Sequence, residues 1–117
     1  MPRADVIDQS TFDALLDSVG GDAEFLKELV DAYLASTPDL FVAMRKAAAE
    51  GDAPALQRAA HSLKSGSTNV GALAFAAQCK ELESIGRSGE LDGAGPRIAA
   101  AADAFDDVAV ALKAQVE

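Results

Sequence analysis

An all-α fold, an antiparallel four-helix bundle with a short extra helix at its N-terminus, is predicted by three observations. The 117 residues include 26 alanines against six aromatic residues and no tryptophan, and alanine is the strongest intrinsic helix former and a poor strand former. The apolar residues recur at steps of three and four instead of alternating, which is the helical period. Glycine, proline and capping side chains punctuate the chain at intervals that suit helices joined by short loops. Half of the residues are apolar, enough for a core, and the length suits one domain spanning 1–117.

The first segment is short. Asp8, Ser10 and Thr11 offer N-caps, Phe12, Leu15 and Leu16 make one apolar face, and Gly20-Gly21 ends it. Asp22 caps the second, whose stripe of Leu26, Leu29, Val30, Tyr33, Leu40, Met44 and Ala47 runs from about 22 to 50 before Gly51 closes it. Pro38 falls inside that stripe. Either the helix kinks there, or it breaks and restarts with Thr37 as N-cap and Pro38 in the first helical position. The third helix starts after Asp52 with Pro54 in its first turn, presents Leu56, Ala59, Ala60, Leu63, Ser67 and Val70 on one side, and ends or bends at Gly71. The fourth carries Phe75, Cys79, Leu82 and Ile85 inward and stops near Gly86 to Gly89, with a loop from Gly89 to Gly95 after it. The last reads Ile98, Ala102, Phe105, Ala109, Leu112 and Val116 along its inner face, with Asp103, Asp106 and Asp107 as a charged outer face.

A formal net charge of −9 and an isoelectric point of 4.4 argue against nucleic acid as partner, and against an anionic membrane. The lone cysteine, Cys79, excludes an intrachain disulfide framework and a cysteine-based zinc site, reads as a small core residue, and fits a reducing compartment. No apolar run is long enough to span a bilayer, and Met1-Pro2-Arg3-Ala4-Asp5 does not lead into the apolar stretch of a signal peptide, so a cytoplasmic location is expected. The charge is unevenly spread. Residues 53–80 hold Arg58, Lys64 and Lys80 and no acid, whereas the rest of the chain sets 7 basic against 19 acidic residues, a balance of −12.

The only histidine, His61, lies inside this basic stretch. At about 100° per residue it sits roughly 140° from Leu56 and roughly 160° from Leu63, so the ring faces away from the core. Arg58, Lys64 and Ser65 share its face, with Gln57 and Thr68 a turn away, and Ser62, Ser65, Gly66, Ser67 and Thr68 leave the ring open to a bulky partner. A hydrolytic triad needs an oxyanion hole in a pocket, a metal site needs three or four ligands, and a general acid or base needs a concave substrate site, of which the sequence gives no sign. Attack by imidazole on a phosphoryl group asks for less, only exposure, orientation and nearby positive charge, since another protein can carry the donor.

The runs Ala60-His61-Ser62-Leu63-Lys64-Ser65-Gly66-Ser67, Asn69-Val70-Gly71-Ala72 and Cys79-Lys80-Glu81-Leu82-Glu83 resemble those of histidine-containing phosphotransfer (HPt) domains. Gly21-Asp22-Ala23-Glu24-Phe25-Leu26, Leu34 with Pro38-Asp39-Leu40, and Gly51-Asp52 extend the resemblance over nearly the whole chain. It implies a four-helix bundle whose exposed histidine takes a phosphoryl group from an aspartyl phosphate on one receiver domain and passes it to another, without enzymatic activity or a cofactor of its own, Mg²⁺ belonging to the receiver. His61 would be the phosphoacceptor, and Lys64 would neutralise the phosphoryl oxygens. Ser65 and Gly66 would share a close-approach role. Glu83 would orient the imidazole, or else pair with Lys80 or Arg87 within its own helix. Arg58, Lys80 and Gly71 would serve partner contact, and Gly71 also matches the family's helix-ending glycine. The partners implied are response-regulator receivers and hybrid sensor kinases, met by a monomer. A docking module that binds them without carrying phosphate is the alternative.

Overall fold

The computed structural model describes residues 6–117. Met1 to Asp5, on which the signal-peptide reading partly rests, lie outside the described residues. Among the described residues five α-helices follow one another: α1 (Gln9–Ser18), α2 (Ala23–Glu50), α3 (Ala53–Asn69), α4 (Leu73–Ser88) and α5 (Ala94–Val116). Helices α2 and α4 each pack against both α3 and α5, which closes a ring around the core, and α1 lies against α2 and α3. No helix among the described residues is long and apolar enough to cross a membrane.

The caps follow the sequence. Asp8, Asp22 and Asp52 accept from the backbone N–H groups of Thr11, Phe25 and Ala55, which satisfies donors that a helix start leaves without partners. Helix α2 runs unbroken through Pro38, so the break-and-restart alternative does not hold. In the turn before the proline, the hydroxyls of Ser36 and Thr37 both donate to the Tyr33 carbonyl, side-chain bonds of the kind that steady a helix where proline interrupts its ladder. Thr37 is therefore fully buried as a mid-helix residue. The inner face of α2 is Leu26, Val30, Tyr33, Thr37, Phe41, Met44 and Ala47. Phe41 takes the place expected of Leu40, which is half-buried, because steps of four from Tyr33 and Thr37 lead to 41.

All six residues predicted to face inward from the third helix are buried, five within α3 and Val70 as its C-cap residue. Helix α4 ends at Ser88, within the expected span, with Gly86 buried inside it. Helix α5 starts at Ala94, so the connecting loop is two residues shorter than expected, and its innermost residues are Ala94, Ile98, Ala101, Val108 and Leu112. Ala102, Phe105, Ala109 and Val116 flank that line half-buried. Phe105 still closes the core, since its ring lies 5.9, 6.1 and 5.6 Å from those of Tyr33, Phe41 and Phe75, within the range of favourable aromatic pairing.

Gly71, at φ 85°, turns the chain between α3 and α4. It is buried there, the Asp8 N–H donates to its carbonyl at 2.7 Å, and a Cβ would come within 2.8 Å of the Asp8 carbonyl oxygen. A side chain at this position is excluded both by the left-handed backbone and by the strand of chain that leads into α1.

Candidate functional site

His61 projects from α3 with its side chain 59% exposed, and Glu83 of α4 sits beside it with only 6% of its side chain exposed. The ring Nδ1 lies 2.7 Å from Glu83 Oε2, and Lys64, one turn further along α3, donates through Nζ to Oε1 at 2.6 Å. Arg87, one turn further along α4, brings Nη2 to 3.6 Å from Oε2. A carboxylate so withdrawn from water persists only if its charge is matched. The hydrogen bond from Lys64 is the main cause holding Glu83 below the usual carboxylate range; burial opposes it and the His61 bond adds to it.

An ionised carboxylate can only accept, so Nδ1 carries the proton of this hydrogen bond. In the neutral ring the lone pair is then on Nε2, and the ring plane is fixed by a partner from a second helix. Both Glu83 oxygens are occupied, one by Lys64 and one by His61. A shallow depression of ≈ 550 Å³ lined by Pro54, Gln57, Arg58, His61, Ser62 and Glu83 does join the histidine to the glutamate. Within it both Glu83 oxygens are turned to side chains of α3, Oε2 to His61 and Oε1 to Lys64.

Of the residues singled out in the sequence, the fold gathers His61, Lys64, Glu83 and Arg58 at one place. Glu83 turns to His61 and Lys64 across the helix seam, with Arg87 as a looser third partner, and the pairing with Lys80 is not made. Ser65 is exposed on the same side of α3 as the histidine. Gly66 points elsewhere: a Cβ there would stand 3.1 Å from Cδ1 of Tyr33, so its close approach is to a core ring. Next to it the Tyr33 hydroxyl and Ser67 Oγ are hydrogen-bonded at 2.6 Å. Lys80 lies on a different side of α4, beside Ala77, Glu81, Ser84, Ile85 and Arg97. Gly71 is buried in the α3–α4 turn. Neither of these last two belongs to the cluster around His61.

Two residues at this site were not assigned to it by the sequence. Arg87 lies outside the acid-free stretch 53–80 and entered only as a possible intrahelical partner. Gly86 entered only as the start of the span, Gly86 to Gly89, in which the helix ends, yet a Cβ on it would fall 2.6 Å from the Gln57 nitrogen and 2.9 Å from the Gln57 Cα. The available signal was a glycine three residues after Glu83, on the inward side of a helix whose end is marked separately by Gly89.

The comparisons with known proteins agree with this geometry. The family model for the Hpt domain matches residues 28–115. Among solved structures, the crystal structure of histidine-containing phosphotransfer protein B from Pseudomonas aeruginosa PAO1 is 31% identical, with a TM-score of 0.87, over 97% of this chain and 96% of that one. A comparison with curated proteins finds no match. The family match opens within α2, while the structural match also takes in most of what precedes it, so sequence and shape agree over different lengths of the same fold. On both counts the chain belongs to the Hpt domain family and has a histidine phosphotransfer role in phosphorelays.

Proposed function

We propose that His61 is the phosphoacceptor of a relay protein that moves a phosphoryl group between aspartates of receiver domains. One observation carries the reading: the exposed imidazole donates through Nδ1 to the buried Glu83 carboxylate, which leaves Nε2 as the nucleophilic nitrogen. The Nε2 lone pair attacks phosphorus of an aspartyl phosphate, the N–P bond forms as the bond to the carboxylate oxygen breaks, and the aspartate leaves as its anion. The ring gains positive charge as it gains phosphorus, and the Glu83 carboxylate at Nδ1 stabilises that charge. Lys64 spends one of its three donors on Glu83 and offers the others to the phosphoryl oxygens. Arg58, at the rim of the depression, adds positive charge toward an acidic receiver pocket. Ser65, small and exposed, lets that partner come close.

In this reading α2 to α5 form an antiparallel four-helix bundle, α1 is an accessory helix, and 1–117 is one domain. The protein is a monomeric cytoplasmic carrier with no kinase or phosphatase activity of its own, charged by hybrid sensor kinases and receivers. Incubation with a phosphorylated receiver is expected to leave acid-labile, alkali-stable phosphate on His61. The His61→Gln variant is expected to take up none while keeping its helix content, since an exposed ring carries little of the fold. Label on another residue, or none across several receivers, overturns the assignment; receiver binding that survives His61→Ala without any label makes the chain a docking module.

A further inference from the structure

At one point of the α3–α4 seam backbone meets backbone. At Gly86 a Cβ would lie 2.6 Å from the Gln57 nitrogen, 2.9 Å from the Gln57 Cα and 3.0 Å from the Ala53 carbonyl oxygen. None of these atoms is the tip of a side chain that can swing aside. All belong to the first two turns of α3, where Ala53 and Gln57 are held in its hydrogen-bond ladder. Restoring an ordinary contact of about 3.5 Å would force the two helices apart by on the order of 1 Å.

That distance matters because of what lies next along the seam. Glu83 precedes Gly86 by three residues on α4, and His61 follows Gln57 by four on α3, so the backbone contact and the Nδ1 to Oε2 bond are neighbours on the same pair of helix faces. The bond is 2.7 Å long. Lengthening it by 1 Å takes it past the limit of a hydrogen bond, about 3.2 Å for nitrogen and oxygen. Lys64 is on the same helix as His61, so the 2.6 Å bond it gives Oε1 lengthens along with the ring contact, and Glu83 loses the geometry of both together.

We propose that Gly86 is a positioning residue for His61: by letting α4 touch the backbone of α3 it sets the separation at which Glu83 holds the Nδ1–H tautomer and leaves Nε2 free. Its consequence for transfer rests on the assignment of His61 as phosphoacceptor; its consequence for the ring does not.

The test is Gly86→Ala in the full chain, made also in a Gly95→Ala background. Gly95 is helical with nothing near its Cβ position, so alanine there strengthens α5 without touching the site. Nitrogen-15 resonances of the His61 ring report the tautomer. The parent and Gly95→Ala proteins are expected to show the Nδ1–H form, and Gly86→Ala a shift toward the Nε2–H form, with helix content kept. Phosphate uptake from a receiver is expected to slow about 10–100-fold, as for loss of a residue that orients a reacting imidazole. Glu83→Asp, one methylene shorter with the helices in place, is expected to shift the tautomer the same way, and adding it to Gly86→Ala to change little more. An unchanged tautomer in folded Gly86→Ala overturns the proposal, and so does unfolding in both backgrounds, which makes Gly86 a requirement of the fold alone. A parent protein that takes up no phosphate, with the tautomer shift still seen, overturns the phosphoacceptor assignment and leaves the positioning role standing.

Discussion

Helix α3 is tied to its neighbours by a polar link on each side, and the two links are built from opposite materials. Toward α4 the link is ionic and half wet: His61 and Lys64 are 59% and 29% exposed, and only Glu83 is buried. Toward α2 it is neutral and dry, a 2.6 Å hydrogen bond between the Tyr33 and Ser67 hydroxyls with Ser67 fully buried. Burial holds the Tyr33 phenol above its ordinary pKa, so this pair stays uncharged at any physiological pH. The difference separates two tasks. A group that must meet a partner keeps one end in water and so contributes little to stability, whereas a pair sealed from water contributes more because neither half can be rehydrated if the other is lost.

Ser67→Ala is the sharpest way to break that comparison. It leaves the Tyr33 hydroxyl in an apolar setting without its partner, at a cost of about 2 kcal/mol. Tyr33→Phe removes the other half and leaves the more adaptable serine hydroxyl, at about 1 kcal/mol. With both halves gone nothing polar is stranded, so the double variant is expected to be less destabilised than the two singles add up to, a coupling of about 1 kcal/mol or more in urea titrations. Phosphate transfer is expected to be unchanged in all three. Additive losses would show that the dry link is no link, and slowed transfer would show that it also serves the site.

The helix inventory and the inner face of α3 were legible because hydrophobic period and caps are local properties of the chain. The half of the site on α3 was legible for the same reason: 3.6 residues per turn puts His61 outside and Lys64 and Arg58 beside it. What α4 contributes was only partly so. Spacing alone offers Glu83 the intrahelical partners Lys80 and Arg87, and the choice of His61 and Lys64 depends on helix rotation, a tertiary property. The close contact at Gly86 was not legible because glycine both ends helices and admits close neighbours, and only the position of the opposing backbone tells the two apart. In α2, Leu40 and Phe41 are adjacent apolar residues about 100° apart, and which one turns inward is fixed by the aromatic cluster it joins.

Acid sharpens the comparison from the other side. Glu83 is held below the usual carboxylate value in the folded chain. The stability it contributes is therefore fully present above the unfolded value, about 4.3, and is lost as pH falls through the lower folded value. Because His61 and Lys64 can be rehydrated where they stand, the contribution is expected to be small, about 1 kcal/mol. Glu83→Gln is expected to lower the urea midpoint slightly at neutral pH and to flatten the part of its pH profile below the carboxylate range, while slowing transfer far more than stability. A profile that keeps its full acid slope would assign that slope to other carboxylates and make the ionic link thermodynamically silent.

The smallest effect is expected where the dry link meets a glycine of its own. At Gly66 a Cβ would stand 3.1 Å from Cδ1 and 3.4 Å from Cε1 of Tyr33. Both atoms belong to a side chain, and a ring can tilt by a few tenths of an ångström where the backbone at Gln57 cannot. Alanine also gains about 0.5–1 kcal/mol over glycine inside a helix. The Tyr33 ring resists the tilt because its hydroxyl is held by Ser67 and its edge by Phe105, which returns a cost of the same order. Gly66→Ala is thus expected to change stability by no more than about 0.5 kcal/mol, and to leave the His61 tautomer alone, since the Tyr33 hydroxyl bonds to Ser67 and not to His61, Lys64 or Glu83. If it unfolds the chain or moves the tautomer as Gly86→Ala does, the contrast between a seam limited by backbone and a seam limited by a side chain fails, and α3 responds to both neighbours as one rigid unit.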